Sequence, residues 1–375
     1  MEQNKKPAKS WQILCAVLAV ALIAMTCLYF FAPLSKQAAE PTTSAQKQAA
    51  EPANEADVLS LWKDDAPLKK ELTEYMKAIT AEGSKDFIPL ENRIAVFDMD
   101  GTLCCETDPG YFDHKLLYHR VMEDASYKDK ASAAEKETAA IIKTYFETGE
   151  YPDGLDVKHG TAVATAFKGM TMDEFDKYVK DYRNQPMEGY NNMTNGEAFY
   201  KPMLQVIDFL QANDFKVYIV SGTDRLITRG LAEGIVNIPL SQMIGSDESL
   251  VASNQGDEDG LEYTYSKEDE LITGGDFLIK NLKTNKVSVI QQEIGVQPVL
   301  SFGNSSGDAA MANFVLDENP YKSAAFMLCC DDTERENGNP EKAEKMKKTC
   351  EENGYTAVSM KNDWKTIYGE NVTKK

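Results

Sequence analysis

Three short apolar runs punctuate the chain, and each gives way to polar residues: Ile94-Ala95-Val96-Phe97, Val217-Tyr218-Ile219-Val220 and Pro298-Val299-Leu300-Ser301-Phe302. Apolar runs without alternation predict strands buried on both faces, as in a parallel sheet covered by helices. Around them the period becomes helical. Asp65-Ala66-Pro67 opens a helix with Leu68, Leu72, Tyr75, Met76 and Ile79 on one face and Gly83 as its stop. The stretch between the first two strands reads as helices. Ala131 to Gly149 carries Ile141, Ile142, Tyr145 and Phe146, and Thr171-Met172-Asp173-Glu174 is a capping box with Phe175, Tyr178, Val179 and Tyr182 inward. Helices are also expected from Pro202, from Arg225 to Gly234, from Lys286 to Gly295 and from Pro340 to Asn353, with a strand near Ala324 to Leu328. The segment from Ser246 to Lys280 alternates and is rich in turns, predicting small antiparallel strands, one of them Leu261 to Tyr265, joined by the acidic turn Gly256 to Gly260. That turn fails the EF-hand pattern, with Gln255 and Ser266 in the first and last ligand places, and reads as solvated. The class is α/β.

The N-terminus follows another pattern. Lys5, Lys6 and Lys9 precede a mostly apolar, uncharged run from Trp11 to Ala32. That length predicts a membrane anchor over 11–32 with the basic segment 1–10 on the cytoplasmic side, so that the rest lies outside the cytoplasm; a cleaved signal and a secreted domain is the alternative. Residues 33–55, rich in Ala, Gln, Pro, Thr and Glu, read as a disordered tether. The formal net charge of -20 argues against a nucleic-acid partner, which needs compensating Lys and Arg. Five cysteines follow the tether: Cys104, Cys105, Cys329, Cys330 and Cys350. Pairing of Cys350 with Cys329 or Cys330 is one expectation for a domain in an oxidising compartment, and buried reduced thiols are the other.

Chemistry gathers where the three strands end. The first is followed by Asp98-Met99-Asp100-Gly101-Thr102, the second by Ser221-Gly222-Thr223-Asp224, and the third by Gly303-Asn304-Ser305-Ser306-Gly307-Asp308. Ligands of open α/β sheets bind at this edge. A hydroxyl at Ser221 can donate to a phosphoryl oxygen, with backbone N–H groups at the next helix start. Lys286, in the first turn of its helix, opposes the helix dipole, a cost tolerated where an anion is held; Lys280 and Lys283 are nearby alternates.

The Asp-x-Asp-x-Thr stretch after a buried strand, with Ser221, Lys286 and the acidic loop in order, resembles the haloacid dehalogenase-like hydrolase superfamily. The resemblance implies a Rossmann-like parallel sheet with a helical cap inserted after the first strand. The core would span 56–103 and 201–375, and the cap 104–200. It implies a Mg²⁺-dependent phosphatase in which Asp98 is the nucleophile that forms an aspartyl phosphate, and Asp100 the general acid and base. Thr102, Ser221, Gly222 and Lys286 would hold the phosphoryl group, and Asp98, Asp100 through its carbonyl, Asp308 and Asn304 the metal. One departure stands out: Asn304 occupies the place where the common Gly-Asp form has a carboxylate, so Asp308 is taken as the metal carboxylate. Asp100 separates phosphatases from dehalogenases and from transport ATPases, though phosphotransferases and mutases share it. A tethered binding protein that lost turnover is the rival from another class.

The substrate implied is a small phosphorylated metabolite, as for the phosphoserine-phosphatase-like and phosphorylcholine-phosphatase-like members. Tyr111, Phe112, Tyr118, Tyr145, Phe146 and Tyr151 enrich the cap in aromatics, most of them expected in its core and a subset able to cage a quaternary ammonium group. His114, His119 and His159 lack the companion spacing of a zinc site and read as structural or surface residues.

Overall fold

The computed structural model describes residues 59–375; the basic segment, the anchor and the tether lie outside the described residues. Among the described residues no helix is long and apolar enough to cross a membrane. The elements in order are α1 (Pro67–Thr80), β1 (Ile94–Phe97), α2 (Phe112–Tyr118), α3 (Ala133–Thr148), α4 (Leu155–Ala166), α5 (Met172–Arg183), β2 (Tyr190–Asn191), α6 (Lys201–Ala212) and β3 (Lys216–Asp224). They continue with α7 (Arg225–Ala232), β4 (Met243–Ala252), β5 (Leu271–Ile279), α8 (Thr284–Glu293), β6 (Leu300–Gly303), α9 (Ala309–Leu316), β7 (Ala324–Cys329), α10 (Pro340–Asn353), β8 (Thr356–Ser359) and β9 (Thr373–Lys374).

Seven strands form one sheet in the order β5-β4-β3-β1-β6-β7-β8, parallel except for β5, which runs antiparallel to β4. The apolar run of β1 is buried throughout, as a central strand covered on both faces must be. Its register pairs Phe97 with Ile219 of β3 and with Phe302 of β6, so the three strand ends reach the same edge. Phe97, Phe302 and Phe326 stack across β1, β6 and β7, with centroids 4.1 and 5.0 Å apart, which stiffens the sheet beneath that edge.

The helix starts follow their caps. Ser132 makes a capping box with Glu135 at the head of α3, which Gly149 ends in the left-handed conformation; Thr171 and Glu174 do the same for α5. α1 buries the face the sequence predicts. At the start of α7 it is Asp224 that accepts from the N–H groups of Leu226 and Ile227, whereas Ser221 stays within β3. The strand is longer than its apolar core because the polar residues remain paired in the sheet.

Helices α2 to α5 lie between β1 and β3 in sequence. The segments entering and leaving this insert pair with each other: Cys105 N–H donates to the Ala198 carbonyl at 2.9 Å, and Tyr200 N–H to that of Leu103 at 2.8 Å. The β4–β5 hairpin reaches up to the insert, where Thr273 Oγ1 donates to the Phe167 carbonyl at 2.6 Å and Gly160 lies against the Phe277 ring. Leu261–Tyr265 is not a strand: it finds no partner, and Leu261 is 93% exposed. On the far side β9 pairs with β2, and buried Glu336 accepts from Tyr190 (2.7 Å), from Thr107 (2.8 Å) and from Tyr368.

All five cysteines of the domain are free. The expected pairing of Cys350 with Cys329 or Cys330 is not made. Cys350 packs from α10 into a small apolar cluster with Ala325 and Met327 of β7, so burial as a thiol is what holds it there.

Candidate active site

The strand ends bring Asp98, Asp100, Gly222, Thr223, Asn304 and Asp308 to one cavity of about 230 Å³, which the insert lines with Glu106, Tyr111, Asp113, His114 and Tyr151. Gly101 makes the turn after β1. It has φ +75°, and a Cβ there would come within 1.9 Å of the Asn304 amide and 2.5 Å of the Glu106 carboxyl, so only glycine lets those two side chains cross the turn.

Lys286 is the electrostatic centre. It stands in the first turn of α8, fully buried, with Nζ 2.6 Å from Asp98 Oδ1 and 2.7 Å from Asp308 Oδ1. Burial alone would lower its pKa, but Asp308 and Asp98 outweigh it and hold the ammonium above its ordinary range. Lys283, which precedes the helix, adopts φ +54°, an uncommon conformation for a side chain of this size, and its N–H donates to the Gly307 carbonyl at 3.1 Å. That contact couples the start of α8 to the loop after β6. Lys280 lines the cavity.

The two aspartates of the first loop are held differently. Asp98 is pushed up to about 6 by burial and by Asp308, against the pull of Lys286. Asp100 is pushed up to about 7 by burial, with Asp113 and Asp98 adding to it. Its Oδ2 accepts from Thr223 Oγ1 at 2.7 Å, while its buried Oδ1 has no hydrogen-bond partner. A carboxyl with one oxygen anchored and the other free is fit to hold a proton and release it.

Asp308 ties the lysine to its own loop. Its Oδ1 accepts from Lys286 at 2.7 Å, and its Oδ2 accepts from the N–H groups of Asn304 and Ser305 and from Ser305 Oγ, at 3.0 to 3.1 Å. With one donor on it, Oδ1 keeps a lone pair that a metal can use. Other oxygens are open as well. Thr102 Oγ1 stands 3.4 Å from Asp98 Oδ2 and 3.3 Å from Asn304 Oδ1, too far for strong hydrogen bonds, so both oxygens remain available. Glu106 Oε1 accepts from Asn304 Nδ2 at 2.9 Å, and its pKa is raised well above the usual range, first by burial and then by Asp100 and Asp98. Hard oxygen donors and an excess of carboxylates over lysines are what Mg²⁺ requires, so the residues fit that ion.

Ser221 is fully buried, accepts from Thr223 N–H at 3.0 Å and does not line the cavity; Gly222 and Thr223 do. Gly222 admits Leu282, which a Cβ would meet at 2.5 Å. Sequence reasoning missed Glu106, Thr223, Asp113 and His114 as wall residues. Glu106 follows the first motif by a few residues in an irregular stretch, and its acidity after two cysteines was the only available signal.

The cap aromatics divide. Phe112 packs on Tyr182 and Tyr118 on Phe146, inside the insert. Tyr111, Tyr145 and Tyr151 face one another instead, with centroids 5.2 to 6.4 Å apart, and share a second cavity with Glu106 and Asn304.

No family model and no curated protein matches the chain. It is similar in outline to several solved structures. One is a conserved protein of unknown function from Anaerococcus prevotii DSM 20548, at 14% identity over 77% of this chain and 91% of that one, TM-score 0.47. Another is cytosolic 5'-nucleotidase IIIB bound to cytidine, at 13% identity over 82% and 92%, TM-score 0.47. A third is a phosphoserine phosphohydrolase-like protein from Francisella tularensis subsp. tularensis SCHU S4, at 14% identity over 63% and 87%, TM-score 0.34. The chemistry of the site is therefore read from this chain's own residues.

Proposed function

We propose that the domain is a phosphatase that hydrolyses a small phosphomonoester through an aspartyl phosphate on Asp98. The observation that carries this is the pairing of two unlike carboxyls at one strand end: Asp98 fixed by Lys286 at 2.6 Å, and Asp100 with a free buried oxygen and a pKa near 7. In the first step Asp98 forms a bond to phosphorus as the ester oxygen leaves, and Asp100 gives that oxygen its proton. In the second, water attacks phosphorus while Asp100 takes its proton, and the bond to Asp98 breaks to release phosphate. Lys286 and the backbone at Gly222 and Ser306, which line the cavity, orient the phosphoryl oxygens. Asp98, the Asp100 carbonyl, Asp308 and the Asn304 amide would hold Mg²⁺, with Glu106 beside them. When bound, the ion neutralises charge between carboxylate and phosphate.

Asp100 sets the pH dependence. The protonated form is the acid, so kcat/KM for an alkyl phosphate falls as pH rises through about 7. With p-nitrophenyl phosphate, whose leaving group needs no proton, that limb flattens. Parallel pH–rate profiles of the two substrates check this, and superimposable limbs would remove Asp100 from the acid role.

The substrate side is read as amine-bearing. Tyr111, Tyr145 and Tyr151 offer ring faces and Asp156 a carboxylate around the cavities, an arrangement suited to an ammonium group. With Mg²⁺ present, phosphocholine, phosphoethanolamine and phosphoserine should be turned over at about tenfold or greater kcat/KM than glycerol phosphate, a difference of about 1.4 kcal/mol. Equal rates across the panel would end the amine preference, and no turnover of any phosphomonoester from pH 5 to 9 would end the phosphatase reading. The basic flank and apolar run ahead of the tether support a domain held at the membrane outside the cytoplasm.

A further inference from the structure

The cap contains a cluster that this reaction does not use. Asp113 and His114 lie in the first turn of α2 and His159 in α4, at 2%, 2% and 1% exposure. Asp113 Oδ1 is 2.7 Å from His114 Nδ1, and Asp113 Oδ2 is 3.8 Å from His159 Nδ1. The two imidazoles stack nearly parallel, with centroids 4.0 Å apart. One ligand atom from each residue lies within 4.8 Å of the other two. The decisive feature is His159: neither of its ring nitrogens has a hydrogen-bond partner, although the side chain is almost wholly buried. A buried imidazole kept only for packing would be replaced at no loss by a phenyl ring, because unpaired polar atoms cost stability there.

Burial, and then His114, holds His159 well below the ordinary imidazole range, and the 2.7 Å contact with His114 favours the ionised form of Asp113 against its burial. The donors are thus in the forms that bind metal, a neutral ring and an ionised carboxylate. We propose that Asp113, His114 and His159 form a binding site for a divalent transition ion of the Zn²⁺ class, separate from the Mg²⁺ site at Asp98. Imidazole selects such ions over Mg²⁺, and two His with one carboxylate leave a position open for water. At about 2.0–2.1 Å from each donor, tetrahedral ligands stand roughly 3.4 Å apart. The Asp113–His114 contact then opens by well under 1 Å and the His159 approach closes by less. The parallel rings must also tilt toward one point. Lys280 is the nearby cation, opposed by Asp100. Because Asp113 and His114 also line the phosphoryl cavity, the ion would pin α2 to α4 in its wall.

The site stands whether or not the domain hydrolyses phosphoesters. The test is titration of the full chain, stripped with chelator, with Co²⁺ in the presence of excess Mg²⁺, read by visible absorbance and calorimetry. The wild type should bind one more ion than His159→Gln, with the absorbance of a low-coordinate Co²⁺ centre, and the variant should bind at least about 100-fold more weakly at that site. Zn²⁺ should raise the Tm of the wild type and leave that of the variant unmoved. Equal uptake and equal spectra in the two proteins would overturn the proposal. Should His159→Gln fail to fold, Cu²⁺ paramagnetic resonance on the wild type decides: couplings to two imidazole nitrogens are expected, and their absence refutes the site.

Discussion

Asp98→Asn lowers phosphomonoester turnover by about 10⁴-fold or more, the loss seen when a nucleophile is removed from a unit that acts together. An amide cannot form the acyl phosphate, while the backbone N–H groups and Lys286 that hold the substrate are left in place. Binding should therefore survive the loss of rate, so that KM changes far less than kcat. Rapidly quenched wild type should carry a phosphoryl group on Asp98 by peptide mass, and the variant none. A variant that keeps more than about a tenth of the wild-type rate would mean that water attacks phosphorus directly.

Lys286→Ala produces the second large effect, and it falls first on stability. The ammonium is fully buried between Asp98 and Asp308, at 2.6 and 2.7 Å. Removing it leaves two carboxylates facing each other without a counter-charge, a change that costs about 3–5 kcal/mol. The sign with pH follows from the direction in which Asp98 is already shifted. Its folded-state pKa lies above the ordinary value and rises further without the lysine, so the folded state binds more protons than the unfolded one between the two values. The variant is accordingly least unstable near pH 5 and loses stability as pH rises through neutrality. Denaturant unfolding at pH 5 and pH 8 measures this. The same deficit at both would show that the lysine neutralises something other than these carboxylates.

What the sequence makes visible depends on whether a residue's neighbours are local. The run Ile94 to Phe97 declares a covered strand because both faces are apolar, and Thr171 with Glu174 declares a helix start because its partners lie within one turn. Lys286 is legible through a local anomaly, a cation at the wrong end of a dipole, and the structure supplies the distant carboxylates that explain it. Asp308 shows a partial case. From sequence it is the only carboxylate in its loop, but that it also receives Lys286 depends on what the fold brings to it. His114 and His159 are far apart in the chain and carry no spacing signal; only the packing of α2 on α4 stacks them. Leu261 to Tyr265 has the alternation of a strand without an edge to join, and alternation by itself does not provide a partner.

The seam between β2 and β9 limits how the insert can behave. Lys375 N–H donates to the Gly189 carbonyl at 2.9 Å, and Tyr190, Thr107 and Tyr368 converge on Glu336 just beneath. The insert is thus sewn to the body at this seam and again at the β4–β5 hairpin, through Thr273 and Phe277, besides its two connecting segments, which braces it against swinging as a free lid. Tyr145 and Tyr151 line the second cavity, which borders Glu106 and Asn304 beside the strand ends.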